Sequence, residues 1–177
     1  TERPFWTDLY VFYASKRLGI SASYPAFDQN QLFKGVFGVD IELQDLSKFL
    51  YDQVQFDDVR LFILDESNKI VADPKRSVNL LDKEAAVKLT SLDDYDDQVV
   101  NHSFSLLKQN KYDFFEFDYQ GISYVASLKL FPEYFGKPWK IFVIVPNDQL
   151  FDPAKISLTS FFIFCFFFLM VTCLVSW

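Results

Sequence analysis

The chain has 177 residues, and half of them are apolar, with 22 Phe and 9 Tyr among them. It carries 24 acidic against 17 basic side chains, a formal net charge of −7. The acidic balance argues against a nucleic-acid partner, because phosphates bind basic surfaces. The aromatic content argues against disorder. Both cysteines, Cys165 and Cys173, lie near the C-terminus, so we expect no disulfide in the rest of the chain.

The first part of the chain predicts three strands. Residues 10–13, 20–25 and 36–43 are rich in aromatic and β-branched side chains and are separated by turn-forming segments. Runs this close in sequence form an antiparallel meander. An amphipathic helix ending near Gln53 follows the third run. Its apolar positions recur at helical spacing: Leu43, Leu46, Phe49 and Leu50.

A second unit begins with a hairpin. Residues 61–64 and 70–72 flank a turn that contains Asp65 and Asn68. About forty residues without strand-like alternation follow, and they predict helices around residues 83–89 and 97–108.

Three strands then return. Residues 114–119 and 122–130 alternate apolar and polar side chains around a Gln-Gly turn, which is the period of a strand with one buried face. A last strand is predicted over residues 139–145 and ends at Pro146. The resulting order is strand, strand, helices and three strands, which is typical of PAS-like sensor lobes. The first unit is similar to the last three strands of another such lobe.

The last stretch of the chain predicts a membrane span. Residues 156–177 contain no charged side chain, and as a helix they would be about 33 Å long, close to the hydrocarbon thickness of a bilayer. Every charged side chain precedes this run, so we expect the upstream part to be a water-soluble, folded domain.

The order of several loose motifs resembles the double Cache domains of bacterial transmembrane receptors. The matching segments are residues 6–10 (Trp-Thr-Asp-Leu-Tyr), 19–25, 34–43, 62–65 and 139–146. The resemblance implies an α+β fold of two PAS-like Cache lobes with antiparallel five-stranded sheets. Residues 1–45 would be the C-terminal part of a membrane-distal lobe truncated at its N-terminus, residues 46–150 a membrane-proximal lobe, and residues 156–177 a transmembrane helix.

The same resemblance implies an extracytoplasmic small-molecule sensor in the inner membrane, whose helix passes the signal to a cytoplasmic output domain. In family members that bind amino acids or amines, the positions of Tyr10 and Asp40 help to hold the ligand ammonium. A carboxylate beside an aromatic ring suits that charge. The candidate ligand-binding set is Trp6, Tyr10, Ser21, Ser23 and Asp40. A homodimer is left open.

Two departures from the family pattern weaken the amine assignment. Leu9 stands where the family has Pro, and the Arg-x-Trp-Tyr segment that clamps a ligand carboxylate is not in this chain. The alternative is structural: Asp40 bonds a neighbouring strand, Tyr10 belongs to the core, and Ser21 and Ser23 are ordinary strand residues.

The sequence offers no catalytic residues, cofactor motif or metal site. The single histidine, His102, has no cysteine or second histidine near it and is expected at the surface. The acidic cluster at residues 93–97 lacks the glycine and distal glutamate of a calcium loop, and it fits a helix start. Two other functions are kept as alternatives. One is the sensor half of a membrane-bound enzyme such as an adenylate or guanylate cyclase, and the other is a structural ectodomain without a ligand.

Overall fold

The computed structural model describes residues 5–54, 58–75, 89–109 and 113–150. Within these ranges the chain forms two antiparallel sheets and a small number of helices, as the predicted α+β class requires. The elements are β1 (Phe5–Trp6), β2 (Tyr10–Val11), β3 (Leu18–Phe27), β4 (Phe33–Glu42), α1 (Leu43–Gln53), β5 (Arg60–Leu64), β6 (Ile70–Ala72), a 3₁₀ turn (Leu92–Asp94), α2 (Gln98–Gln109), β7 (Phe114–Tyr119), β8 (Ile122–Leu130), a second 3₁₀ turn (Glu133–Phe135), β9 (Lys140–Pro146) and α3 (Asn147–Leu150).

The first sheet is built around β3. Strand β4 pairs along one edge of β3, from Gly19 opposite Glu42 to Phe27 opposite Phe33. The short strands β1 and β2 share the other edge. The predicted meander is therefore confirmed in β2, β3 and β4. The pairing of β1 was not predicted, since two residues give no alternation to detect.

The second sheet has five strands in the order β6-β5-β9-β8-β7, with all neighbours antiparallel. The tight turn between β7 and β8 uses Gln120 and Gly121, both with positive φ, at 52° and 82°. Such a pair matches the right-handed twist of the flanking strands. The hairpin β5–β6 and the strands β7, β8 and β9 lie where the sequence predicts them.

The second sheet is covered on both faces. The face toward α2 carries a cluster that we call the α2-side core. Its members are Phe62, Leu64, Ile70, Leu92, Tyr95, Val99, Val100, Phe104, Phe117, Tyr124, Ala126, Phe142 and Ile144. The other face meets α1 and the first sheet in a second cluster, which we call the shared core. Its buried members are Leu18, Ile20, Leu43, Leu50, Ile63, Val71, Ala72, Leu89 and Trp139.

One predicted helix buries a different face than expected, and another lies almost entirely outside the described residues. Helix α1 has the predicted length, but Phe49 points outward and is 59% exposed, while Leu43, Ser47 and Leu50 are buried. The half-buried Leu46 also packs against the shared core, whereas Phe49 does not, so the prediction that Phe49 belongs to the buried face is wrong. The predicted helix near residues 83–89 lies almost entirely outside the described residues. Leu89 is its only residue within them.

The predicted membrane span, residues 156–177, lies outside the described ranges. Among the helices within those ranges, none has the length and apolar character needed to cross a bilayer.

Candidate functional site

A row of polar side chains crosses three strands on one face of the first sheet. Asp40 in β4 lies directly opposite Ser21 in β3, and Tyr10 in β2 lies opposite Gly19, two residues away on the same face. The Ser21 hydroxyl donates to Asp40 Oδ1. The Tyr10 hydroxyl lies 2.5 Å from Ser21 Oγ, and it must donate, because the single Ser21 proton is already used. We call Tyr10, Ser21 and Asp40 the polar row.

Backbone pairing holds the polar row in place. The Ser21 N–H donates to Thr7 Oγ1 at 2.9 Å, and the Thr7 N–H donates to the Ser21 carbonyl at 3.0 Å. Thr7 therefore continues the ladder between β1 and β2 and fixes the edge of β3 at the height of the row. The sequence analysis did not single out Thr7, although it lies within the Trp-Thr-x-x-Tyr run.

Asp40 carries a negative charge that no cation offsets within the described residues. It is exposed, its one hydrogen-bond partner there is Ser21, and it forms no ion pair there. The nearby Arg17 is already engaged, because its Nη1 bonds Glu42 Oε2 at 2.9 Å. This hydrogen bond raises the pKa of Arg17 and lowers the pKa of Glu42. The carboxylate of Asp40 is thus available to a cation from outside.

The other two predicted residues lie on different faces of the sheet. Ser23 is on the face of the polar row, one step along β3, and its hydroxyl donates to the Phe5 carbonyl at 3.4 Å. Trp6 lies opposite Ala22, on the other face, where its ring packs against Phe135 in the shared core. The structure therefore brings together Tyr10, Ser21, Ser23 and Asp40 and separates Trp6 from them.

Beyond the polar row the same face becomes apolar. Phe5 pairs with Ser23 at the β1 edge, and Val36 follows further along β4. Phe27 and Phe33 form an edge-to-face pair with ring centroids 5.9 Å apart at the far end. All four are between 58% and 68% exposed. A face that is anionic at one end and apolar along its length suits a ligand with a cationic head and a hydrocarbon body.

The second sheet shows what this face corresponds to. In both sheets the last strand runs directly into a helix, β4 into α1 and β9 into α3, so Glu42 aligns with Pro146. The strand registers then fix the remaining equivalences. The matched residues are Tyr10 with Phe117, Ser21 with Ala126, Asp40 with Ile144 and Gly38 with Phe142.

All four counterparts in the second sheet belong to the α2-side core, where Ala126, Phe142 and Ile144 are fully buried. The face that carries the polar row is therefore equivalent to a core face. In the first sheet, two hydroxyls, a carboxylate and a glycine replace side chains that fill the core of the second. That replacement provides polar groups and space, the two things that a ligand site needs.

A second polar cluster has a structural role. Asp73 is 2% exposed, and its carboxylate accepts from the Tyr95 hydroxyl at 2.8 Å and from the Lys75 N–H at 2.9 Å. The Asp73 N–H donates to Ser47 Oγ at 3.2 Å. Because these groups satisfy one another, the cluster ties α1 to the end of β6.

No group of three or more residues suited to a metal ion occurs in the described part of the chain. His102 is half-buried, with its ring 5.1 Å from Tyr119 and 5.8 Å from Phe117. Asp93, from the acidic cluster, pairs with Lys108 at 2.5 Å. Neither residue lies near the polar row in the strand order of the sheets.

No family model matches the chain, and no curated protein matches it. Solved structures do match. The sensory domain of the Campylobacter jejuni chemoreceptor Tlp3 (CcmL) gives a TM-score of 0.50 at 20% identity, over 84% of this chain and 50% of that chain. The described residues have a Cache-like fold.

Two further sensor domains give weaker matches to this Cache-like fold. The ligand-binding domain of the Pseudomonas fluorescens chemoreceptor CtaA, in complex with L-isoleucine, gives a TM-score of 0.49 at 21% identity, over 85% of this chain and 55% of that chain. The ligand-binding domain of the Pseudomonas aeruginosa amino acid chemoreceptor PctB, in complex with L-Arg, gives a TM-score of 0.42 at 19% identity, over 86% of this chain and 58% of that chain. The chain spans little more than half the length of the solved domains it matches.

Proposed function

We propose that this chain is the small-molecule sensing part of a membrane-bound receptor and that its ligand carries an ammonium group. The observation that carries the proposal is the polar row, because it places an unpaired carboxylate on a face whose counterpart in the second sheet is a packed core. The Cache-like fold supports the sensor role, since the proteins that share it are sensory domains.

The chemistry of the polar row favours a cation. The Tyr10 hydroxyl donates to Ser21 and the Ser21 hydroxyl donates to Asp40, so the row ends in an acceptor, not in a donor. An ammonium group fits this arrangement, because it can donate to the free oxygen of Asp40 while it lies beside the Tyr10 ring. Ser23 lies one step along the same face and is a further hydrogen-bonding partner for the ligand.

The proposed domain organisation follows from comparing the two sheets. In the second sheet β9 lies between β8 and β5, whereas in the first sheet the equivalent strand β4 pairs only with β3 among the described residues. Its exposed side chains lie on both faces and include Phe37 at 72% and Val39 at 60%. This supports residues 1–45 as the C-terminal part of a membrane-distal lobe and residues 46–150 as a membrane-proximal lobe. The boundary between them falls in the first turn of α1.

The membrane connection is also part of the proposal. Residues 156–177 would form a transmembrane helix that follows the second sheet and leads to a cytoplasmic output domain. With that orientation the two lobes would be extracytoplasmic, on the outer side of the inner membrane.

The experiment is calorimetric titration of the full-length protein with a panel of primary amines and amino acids, using wild type, Asp40→Asn and Asp118→Asn. Asp118 is an exposed carboxylate on β7 and is the matched control. A charged hydrogen bond contributes about 1.5–3 kcal/mol, so Asp40→Asn should weaken binding at least about tenfold. Asp118→Asn should bind like wild type. Equal affinities in wild type and Asp40→Asn would refute the assignment.

A further inference from the structure

Gly38 has open space above it on the face of the polar row. It lies in β4 opposite Ser23 and two residues before Asp40, so it shares their face. A Cβ atom added here would meet a single described atom within 4 Å, the Ala22 carbonyl oxygen at 4.0 Å. No side chain of the described residues fills the position.

The backbone does not require glycine at this position. Gly38 is absent from the residues with positive φ, so any residue can adopt its conformation. Gly19, on the same face, is different: an added Cβ there would lie 2.2 Å from Phe12 Cε2 and 2.5 Å from the Ile41 carbonyl oxygen, too close to either atom. Packing explains Gly19, whereas neither packing among the described residues nor strain explains Gly38. Glycine in a strand often marks a place where something else comes close to the backbone.

The equivalent residue in the second sheet is Phe142, which is fully buried in the α2-side core. The first sheet therefore lacks a whole aromatic side chain at this point, next to Asp40. Side chains two apart along a strand are separated by roughly 7 Å. A group bound to Asp40 through its ammonium would thus extend its first few carbon atoms over Gly38, toward Val36 along β4 and Phe5 across the sheet.

We propose that Gly38 sets the size of the ligand by leaving room for the carbon chain attached to the ammonium group. This inference rests on the proposed function and adds to it the shape of the ligand: a cationic head at Asp40 and an aliphatic body over Gly38. A side chain at position 38 would occupy the place of that body and leave the head site intact.

The test compares Gly38→Ala and Gly38→Val with wild type in the full-length protein. The probes are methylamine, propylamine and pentylamine, together with glycine and isoleucine. Gly38→Val should weaken binding of pentylamine and isoleucine at least tenfold and should change the affinity for methylamine and glycine less than threefold. Gly38→Ala should give an intermediate loss. Val39→Phe adds bulk to the same strand on the opposite face and should leave all affinities unchanged.

The melting temperature without ligand is the second readout. If the space is a ligand cavity, Gly38→Ala and Gly38→Val should melt at or above the wild-type temperature. If another part of the protein packs onto Gly38, Val should lower the melting temperature, and that result would overturn the inference.

The binding outcomes separate the two proposals. Equal losses for short and long probes, or no loss, would overturn the role of Gly38 while Asp40→Asn still reports on the ammonium site. Failure of every probe to bind wild type would refute the proposed function and this inference with it.

Discussion

The rings of Trp6 and Phe135 pack in a tilted arrangement with centroids 4.7 Å apart, although Trp6 belongs to the first sheet and Phe135 to the connection between β8 and β9. Phe135 in turn contacts Phe131 at 4.9 Å and Trp139 at 5.9 Å. The contact therefore connects β1, which pairs with β3 beside the polar row, to the segment that leads into β9. A displacement of β1 has a packed route to β9 through these rings.

The first prediction concerns the energy of this contact. A double-mutant cycle with Trp6→Leu and Phe135→Leu should give a coupling energy of about 0.5–1.5 kcal/mol in the free energy of unfolding, measured with urea. Tyr134 is 78% exposed, so Tyr134→Leu should change stability by less than about 0.5 kcal/mol. Additive effects of the two core substitutions would show that the rings do not couple.

The second prediction concerns Asp97, which joins α2 to the second sheet. Its Oδ1 accepts from the N–H groups of Val99 at 2.9 Å and Val100 at 3.3 Å, and its Oδ2 accepts from Arg60 Nε at 2.9 Å. Asp97→Ala removes the helix cap and the ion pair, whereas Asp97→Asn keeps the cap. Loss of a cap costs about 0.5–2 kcal/mol, so Ala should be more destabilising than Asn.

Urea unfolding of both variants checks this order, and the exposed neighbour Asp96 supplies the control. Asp96→Ala should stay close to wild type. If Asn were as destabilising as Ala, the ion pair with Arg60 would be the dominant contribution and the cap a minor one.

Local pattern was sufficient to predict much of the fold. The alternation in residues 114–130 depends only on neighbouring side chains, so β7, β8 and their turn lie where the sequence predicts them. Strand β1 was missed because its pairing depends on β3, far along the chain. The predicted burial of Phe49 was wrong because contact with the shared core determines which face of α1 is buried. The periodicity of the sequence alone does not contain that information.

The polar row could be predicted only in part. The resemblance to Cache domains pointed to Tyr10 and Asp40, but which residues share a face depends on the register of β2, β3 and β4. That register separates Trp6 from the others and brings Gly38 beside Asp40. The buried Asp73 gave no signal, because an Asp-Pro pair is typical of an exposed turn.

The third prediction concerns acid stability. The hydrogen bond from Arg17 lowers the pKa of Glu42 in the folded protein. A group whose folded pKa is lowered stabilises the fold above its unfolded pKa, and this contribution disappears as the pH falls through the folded value. The urea concentration at the midpoint of unfolding should therefore decrease when the pH is lowered below about 4.3, the ordinary pKa of a glutamate side chain.

Arg17→Gln removes this contribution, so the difference in midpoint between wild type and the variant should be largest at neutral pH and should shrink between about pH 5 and pH 3. Lys48→Gln, at an exposed position of α1, controls for loss of one positive charge. A difference that stays constant down to pH 3 would contradict the role of Glu42.

The last prediction is that a signal leaves this chain mechanically, through β9. That strand pairs with β5 and β8 along its length and passes directly into α3, whose Gln149 lies 3.4 Å from Asp58 before β5. We therefore expect a displacement of the sheet by ligand to move α3 and the residues that follow it, because packed elements shift between discrete arrangements and do not deform gradually. A Gly-Ser-Gly-Ser insertion after Leu150 in the full-length protein should leave amine affinity unchanged and abolish the ligand-dependent output. The same insertion between Gln120 and Gly121, in the exposed turn of β7 and β8, should preserve both, and output that persists with the first insertion would refute mechanical coupling.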